Sequence, residues 1–181
     1  MNRRPQAGFT LVELMMTILA GAILLTVAVP SMQTMVRNNR LATQTNDFVS
    51  VLQYARSEAA RRRQTVALLP KSGSEDWAAG WTVWVDLDGN GVQDDDVNED
   101  GDVNEADILR SEDGLSGGNS LVAGDDSAIQ YAPTGFIIGD SCADAAYAFC
   151  ADLCHASGLP GRQILITMTG RVETESDYTC P

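Results

Sequence analysis

The densest chemistry in this sequence lies between Asp86 and Asp113, where twelve of the chain's 25 acidic residues are set against one base, Arg110. Carboxylates packed this closely repel one another unless a cation neutralises them. Asp96, Asn98, Asp100, Asp102, Asn104 and Asp107 stand at positions 1, 3, 5, 7, 9 and 12 of one run, with Gly101 at position 6 and Val103 at position 8. Oxygen ligands at that spacing, with a glycine where the loop must turn, suit calcium, a hard ion that accepts many oxygens in a flexible cage. A second run overlaps its start: Asp86, Asp88, Asn90 and Asp94 repeat the pattern, but its twelfth residue is Val97, which has no side-chain oxygen. For that run a metal-free Asp-Gly-Asn-Gly turn is the competing reading. The expected cofactor is a structural calcium that locks an insertion over residues 86–113.

The first run has Asp rather than Glu at its last position, and so resembles a dockerin-type loop more than a calmodulin-type EF-hand. The four cysteines, Cys142, Cys150, Cys154 and Cys180, all fall within the last 40 residues. In an oxidising compartment they read as two disulfides with three possible connectivities. A strand ending at Cys150 and a last strand ending before Cys180 favour Cys150–Cys180, which leaves Cys142–Cys154. A Cys3His zinc site built from Cys142, Cys150, Cys154 and His155 is the alternative that the compartment disfavours.

Two kinds of element must position these groups. From Arg37 to Arg63 there is neither Pro nor Gly, and Leu41, Phe48, Leu52, Ala55 and Ala59 recur at helical spacing, which predicts one helix face packed on a sheet. The remainder reads as short strands: Thr65–Leu69, Gly80–Asp86, Ile108–Ser111, Ala128–Ala132, Phe136–Ile138, Ala146–Cys150, Gln163–Thr169 and Arg171–Glu173. Together they predict an α+β fold, a long N-terminal helix on antiparallel β-structure.

The N-terminus adds a different chemistry. Phe9 to Val29 holds one charge, Glu13, and at about 1.5 Å per residue it reaches about 30 Å, enough to span a bilayer's hydrocarbon core. Arg3 and Arg4 would keep the leading end in the cytoplasm. A carboxylate inside lipid is costly and marks a functional position by default, tolerable where a cation meets it.

The segment Gly8-Phe9-Thr10-Leu11-Val12-Glu13, behind a short basic leader, resembles the processing signature of type IV pilins and type II secretion pseudopilins. Leu52-Gln53-Tyr54-Ala55-Arg56-Ser57-Glu58-Ala59, with Arg37, Asn38 and Leu41 ahead of it, is similar to the GspH/FimT branch of minor pilins and minor pseudopilins. The resemblance implies a leader over residues 1–8, cut between Gly8 and Phe9 by a prepilin peptidase, and N-methylation of the new terminus. It implies a transmembrane helix over 9–30, an amphipathic half-helix over 31–63 and a β-rich domain over 64–181. Glu13 would meet the terminal amine of a neighbouring subunit during assembly. Pro30 falls where helices of this family commonly bend.

The implied function is a minor pilin that joins or initiates a type IV pilus. The alternative is a GspH-type minor pseudopilin of a type II secretion system. The implied partners are other pilins, the peptidase and the inner membrane, with the C-terminal domain periplasmic. A third reading, a DNA-uptake pilin, rests on a Gly-Arg-x-Arg motif. Here Gly170-Arg171-Val172-Glu173 carries Glu in place of the second Arg, and a chain of net charge −13 repels a polyanion. No P-loop, HExxH, nucleophile elbow or CxxCH occurs, so an enzyme is not expected.

Overall fold

The computed structural model describes residues 9–71, 77–87, 108–123, 128–139, 142, 146–156 and 158–180. The chain divides into two compact units, Met1–Asn39 and Arg40–Pro181. One helix, α1 (Leu11–Arg62), runs uninterrupted through Pro30 and supplies both units. Pro30 has no N–H to offer the carbonyl of Thr26 four residues back, so the helix loses one backbone bond there without ending.

In the second unit the predicted stripe is the buried one. Leu41, Phe48, Leu52, Ala55 and Ala59 are all buried, joined by Thr45, Val51 and Glu58. Thr45 is tolerated because its hydroxyl donates back to the Leu41 carbonyl at 2.8 Å. Phe48 makes edge-on contacts with Trp77 and Trp81, at ring separations of 5.8 and 4.9 Å, which anchors the helix to the strand Gly80–Asp86 and the turn that leads into it.

The strands form two antiparallel sheets where the sequence suggested one. The first contains β1 (Thr65–Pro70), β2 (Gly80–Asp86), β3 (Ile108–Asp113), β5 (Ile129–Tyr131) and β6 (Ile137–Ile138), ordered β3-β2-β1-β5-β6. The second contains β4 (Asn119–Ala123), β7 (Tyr147–His155), β8 (Gly161–Thr167) and β9 (Val172–Tyr178), ordered β4-β7-β8-β9. Leu121, Ala151, Leu153, Ile164 and Ile166 of the second sheet share one core with the helix stripe and with Val66, Leu68 and Val83 of the first. Their alternation fixes the register, because a slip of one residue would turn the apolar set outward.

Arg56 ties both sheets to the helix. Its Nε donates to the Gly135 carbonyl at 3.0 Å, in the turn before β6, and its Nη2 to the Thr169 carbonyl at 2.8 Å, in the turn before β9. Gly170, at φ +76°, sits where any Cβ would collide with the Gly135 carbonyl, so the two turns can touch only through glycine. The N–H of Ile137 donates to the Met168 carbonyl at 3.2 Å and completes the junction.

The disulfide expectation is corrected. The bonds are Cys142–Cys150 and Cys154–Cys180, with Cα separations of 5.2 and 6.0 Å, in place of Cys150–Cys180 and Cys142–Cys154. The cause is the true length of β7, which runs to His155 and not to Cys150. β7 and β9 both pair antiparallel with β8, so their C-terminal ends lie at the same end of the sheet, beside Gly161. Cys154, at the end of β7, therefore faces the end of β9. Both bonds together leave no free cysteine and no thiolate for the zinc alternative.

Candidate functional site

Within the first unit the helix starts with a cap written into the sequence. Thr10 precedes the first helical residue, and its Oγ1 accepts the N–H of Glu13 at 3.3 Å. This is the side-chain-to-backbone half of a Thr-x-x-Glu capping box, which satisfies one of the orphan donors of a helix start. The spacing was legible in the sequence but was read there only for membrane cost and assembly. Glu13 thus stands in the first turn, where the helix dipole favours negative charge, and it is exposed.

Around and beyond Glu13 large apolar side chains are exposed. Phe9 is 83% exposed and Leu11 74%, and exposed Leu, Ile, Val and Met side chains continue to Val36. The three threonines between Glu13 and Arg37 dispose of their own hydroxyls: Thr17 donates to the Leu14 carbonyl at 2.8 Å, Thr26 to Ile23 at 2.7 Å and Thr34 to Pro30 at 3.2 Å. Hydroxyls bonded back to the helix's own carbonyls can face hydrocarbon without stranded donors. The segment is long and apolar enough to cross a membrane.

The second unit presents polar ends. Glu58, 7% exposed, accepts Arg61 through Nε at 3.0 Å and Nη2 at 2.5 Å, and Arg62 Nε at 2.8 Å. Hydrogen bonds from Arg61 and then Arg62 hold its carboxyl below the usual glutamate range. Arg63 ends the helix at φ +59°. Of the three consecutive arginines Arg61, Arg62 and Arg63, two are thus engaged with one carboxylate, beside the negative end of the helix dipole. Arg171, the remaining arginine of the Gly-Arg-x-Arg position, faces Glu173 across 3.4 Å, the residue that replaces the second Arg.

Most of the expected calcium ligands, Asp88, Asn90, Asp94, Asp96, Asn98, Asp100, Asp102, Asn104 and Asp107, lie outside the described residues. Asp86 lies within them, as the last residue of β2 and only 1% exposed, with Gln130 Nε2 donating to its Oδ2 at 3.2 Å. It closes the strand predicted to end there, and its buried carboxylate is engaged within the sheet. Glu112 and Asp113 likewise belong to β3, which pairs with β2. Among the described residues no group of His, Cys, Asp and Glu is arranged to hold a metal ion. Gly8 also lies outside the described residues; Phe9, across the expected cut, is within them.

A family model described as type II transport protein GspH matches residues 44–170. The chain belongs to the GspH family. A second model, the prokaryotic N-terminal methylation motif, matches residues 3–29 of this GspH-family chain. Its fold is similar to two crystal forms of the Pseudomonas aeruginosa type IV minor pilin FimU, each at 20% identity. One aligns with a TM-score of 0.56 over 80% of this chain and 98% of FimU. The other aligns at 0.54 over 77% and 99%. No curated protein matches the chain significantly. The fold is that of a pilin, and the role is that of a minor pilin or pseudopilin, a membrane-anchored structural protein that assembles with other pilins.

Proposed function

We propose that this chain is a minor pilin of a type IV pilus, joining the filament or starting its assembly from the inner membrane with its β-rich unit in the periplasm. The observation that carries this reading is the conjunction of an exposed apolar helix bearing one carboxylate in its first turn with a fold similar to FimU over nearly all of that protein. The GspH description of the family model favours a second reading, a minor pseudopilin of a type II secretion system. In either setting the peptidase cuts between Gly8 and Phe9, Phe9 is N-methylated, and Glu13 meets the amine of a neighbouring subunit.

The test is co-expression of the full chain with an active prepilin peptidase, read by mass spectrometry of the N-terminus. A mature chain starting at methylated Phe9 is expected, and Gly8→Val should leave the leader attached; a leader retained in the wild-type chain refutes processing. Glu13→Val should still be cut but be depleted from filaments. Filaments sheared from cells producing the tagged chain decide between the readings. Its presence in surface pili supports the first, and its confinement to the cell envelope with loss of protein secretion on deletion supports the second.

Calcium in the acidic insertion remains part of the proposal, on the ligand spacing of Asp96–Asp107. Millimolar calcium should raise the thermal midpoint of the full chain in detergent, and magnesium should do so less, because it resists a many-oxygen protein cage. No shift with calcium sinks the site. Nucleic acid is not among the proposed partners: the Arg171–Glu173 pair leaves that turn without the run of cations that phosphate binding requires.

A further inference from the structure

β9 is held differently from the other strands of its sheet. β4, β7 and β8 each send fully buried residues into the core, Leu121, Leu153 and Ile164 among them. In β9 none is buried: Val172, Glu173 and Tyr178 are half-buried, and the four residues between are exposed. Among the described strands its one neighbour is β8, and it carries Glu173, Glu175 and Asp177, residue types that fit strands poorly.

What secures it sits at its two ends. At the root, the turn from Thr167 to Arg171 is closed by backbone bonds of 2.7 and 3.0 Å and clamped to the helix by Arg56 on the Thr169 carbonyl. At the far end Asp177, at φ +63°, is an extra residue in the ladder, because Gly161 pairs with Tyr178 while Arg162 pairs with Ser176. That bulge turns Tyr178 and Cys180 to the face that carries Asp152 and Cys154 of β7. The Tyr178 hydroxyl donates to Asp152, which also accepts Gln163 Nε2 at 2.9 Å. Cys180 bonds Cys154 over Gly161, where any Cβ would collide with Cys180 Sγ. The disulfide therefore straps β9 to β7 across the whole width of β8.

We propose that β9 is a hinged strand with a redox latch: Arg56 anchors its root, Cys154–Cys180 locks its end, and reduction of that bond frees residues 172–180 while the rest of the unit stays folded. A dithiol attacks one sulfur, and the other departs and takes up a proton. The dithiol then closes into its own disulfide and releases the second protein thiol. Two electrons and two protons pass from the dithiol to Cys154 and Cys180. Release turns β8 into an edge strand, whose unpaired N–H and C=O groups can template another extended chain.

Amide hydrogen exchange read by mass spectrometry, on the full chain in detergent micelles, tests this. In Cys154→Ser/Cys180→Ser, and in wild type after dithiothreitol, protection over Val172–Tyr178 should fall by about tenfold or more. Protection over Gly80–Asp86 and Tyr147–Leu153 should hold. Cys142→Ser/Cys150→Ser should keep β9 protected until dithiothreitol is added. Unchanged protection of β9 in the reduced chain overturns the latch. So does equal loss of protection across β2 and β7, or release of β9 by loss of Cys142–Cys150 alone.

Discussion

The two units use the same residue types to opposite ends. Before Asn39, Leu24 and Val27 are 72% and 73% exposed, whereas after Arg40 Leu52 and Val66 are fully buried. Apolar area removed from water stabilises at about 25 cal/mol per Å². The second unit captures that stabilisation within one chain, through a helix stripe closed over two sheets. Among the described residues the first unit has no such covering, and lipid or the helices of other pilins can supply it. A long contiguous apolar surface marks an interaction site, and here it is the mark of an assembling protein.

The contrast can be broken most directly at Phe48. Phe48→Ala should cost the second unit about 3–5 kcal/mol, because it removes a ring packed against two tryptophans and leaves a cavity. Leu24→Ala should cost less than about 0.5 kcal/mol in the same denaturant titration. Comparable losses at the two sites would mean that the N-terminal helix is covered within the chain.

Arg56 tests whether the junction of the sheets is specified by geometry or by charge alone. Arg56→Ala should lose about 2 kcal/mol, since the guanidinium serves two carbonyls in different turns. Arg56→Lys should recover little of it, because a point charge lacks the planar fork. Full rescue by Lys would reduce the role to electrostatics.

Glu58 gives a smaller, pH-dependent effect. Its carboxyl is held below the usual range when folded, so it adds stability above that range and loses it as the pH falls through the lowered value. Glu58→Gln should cost about 1 kcal/mol at neutral pH and flatten the acid limb of the stability curve. An unchanged acid limb in thermal melts from pH 7 to pH 3 would remove Glu58 from the account.

The smallest effect is expected at Tyr131, whose buried hydroxyl has no partner among the described residues and whose phenol burial pushes well above its ordinary pKa. Tyr131→Phe should be neutral or slightly stabilising, because no hydrogen bond is lost with the hydroxyl. A loss of more than about 1 kcal/mol would reveal a partner for that oxygen.

How much of this was legible follows from what each feature depends on. The helix stripe was complete in the sequence because helical periodicity is local, and Gly80–Asp86 was bounded correctly by its aromatic and β-branched run. β4 was missed: Asn119 to Ala123 is short and starts with a residue that strands disfavour, and only its pairing with β7 makes it a strand. β9 was cut short at Glu173 because its acids argue against a strand, which the ladder with β8 overrides. The disulfides followed from that same uncertainty in strand length.

The sequence by itself determined the apolar helix, the carboxylate in its first turn, the cap beneath it and the membership in a pilin family, since each is a pattern of neighbours along the chain. The tertiary structure alone decided that the strands split into two sheets and that Arg56 joins their turns. It also decided which cysteine meets which. Those depend on strand ends and bulges brought together from distant positions, and a single inserted residue, Asp177, changes which side chains share a face.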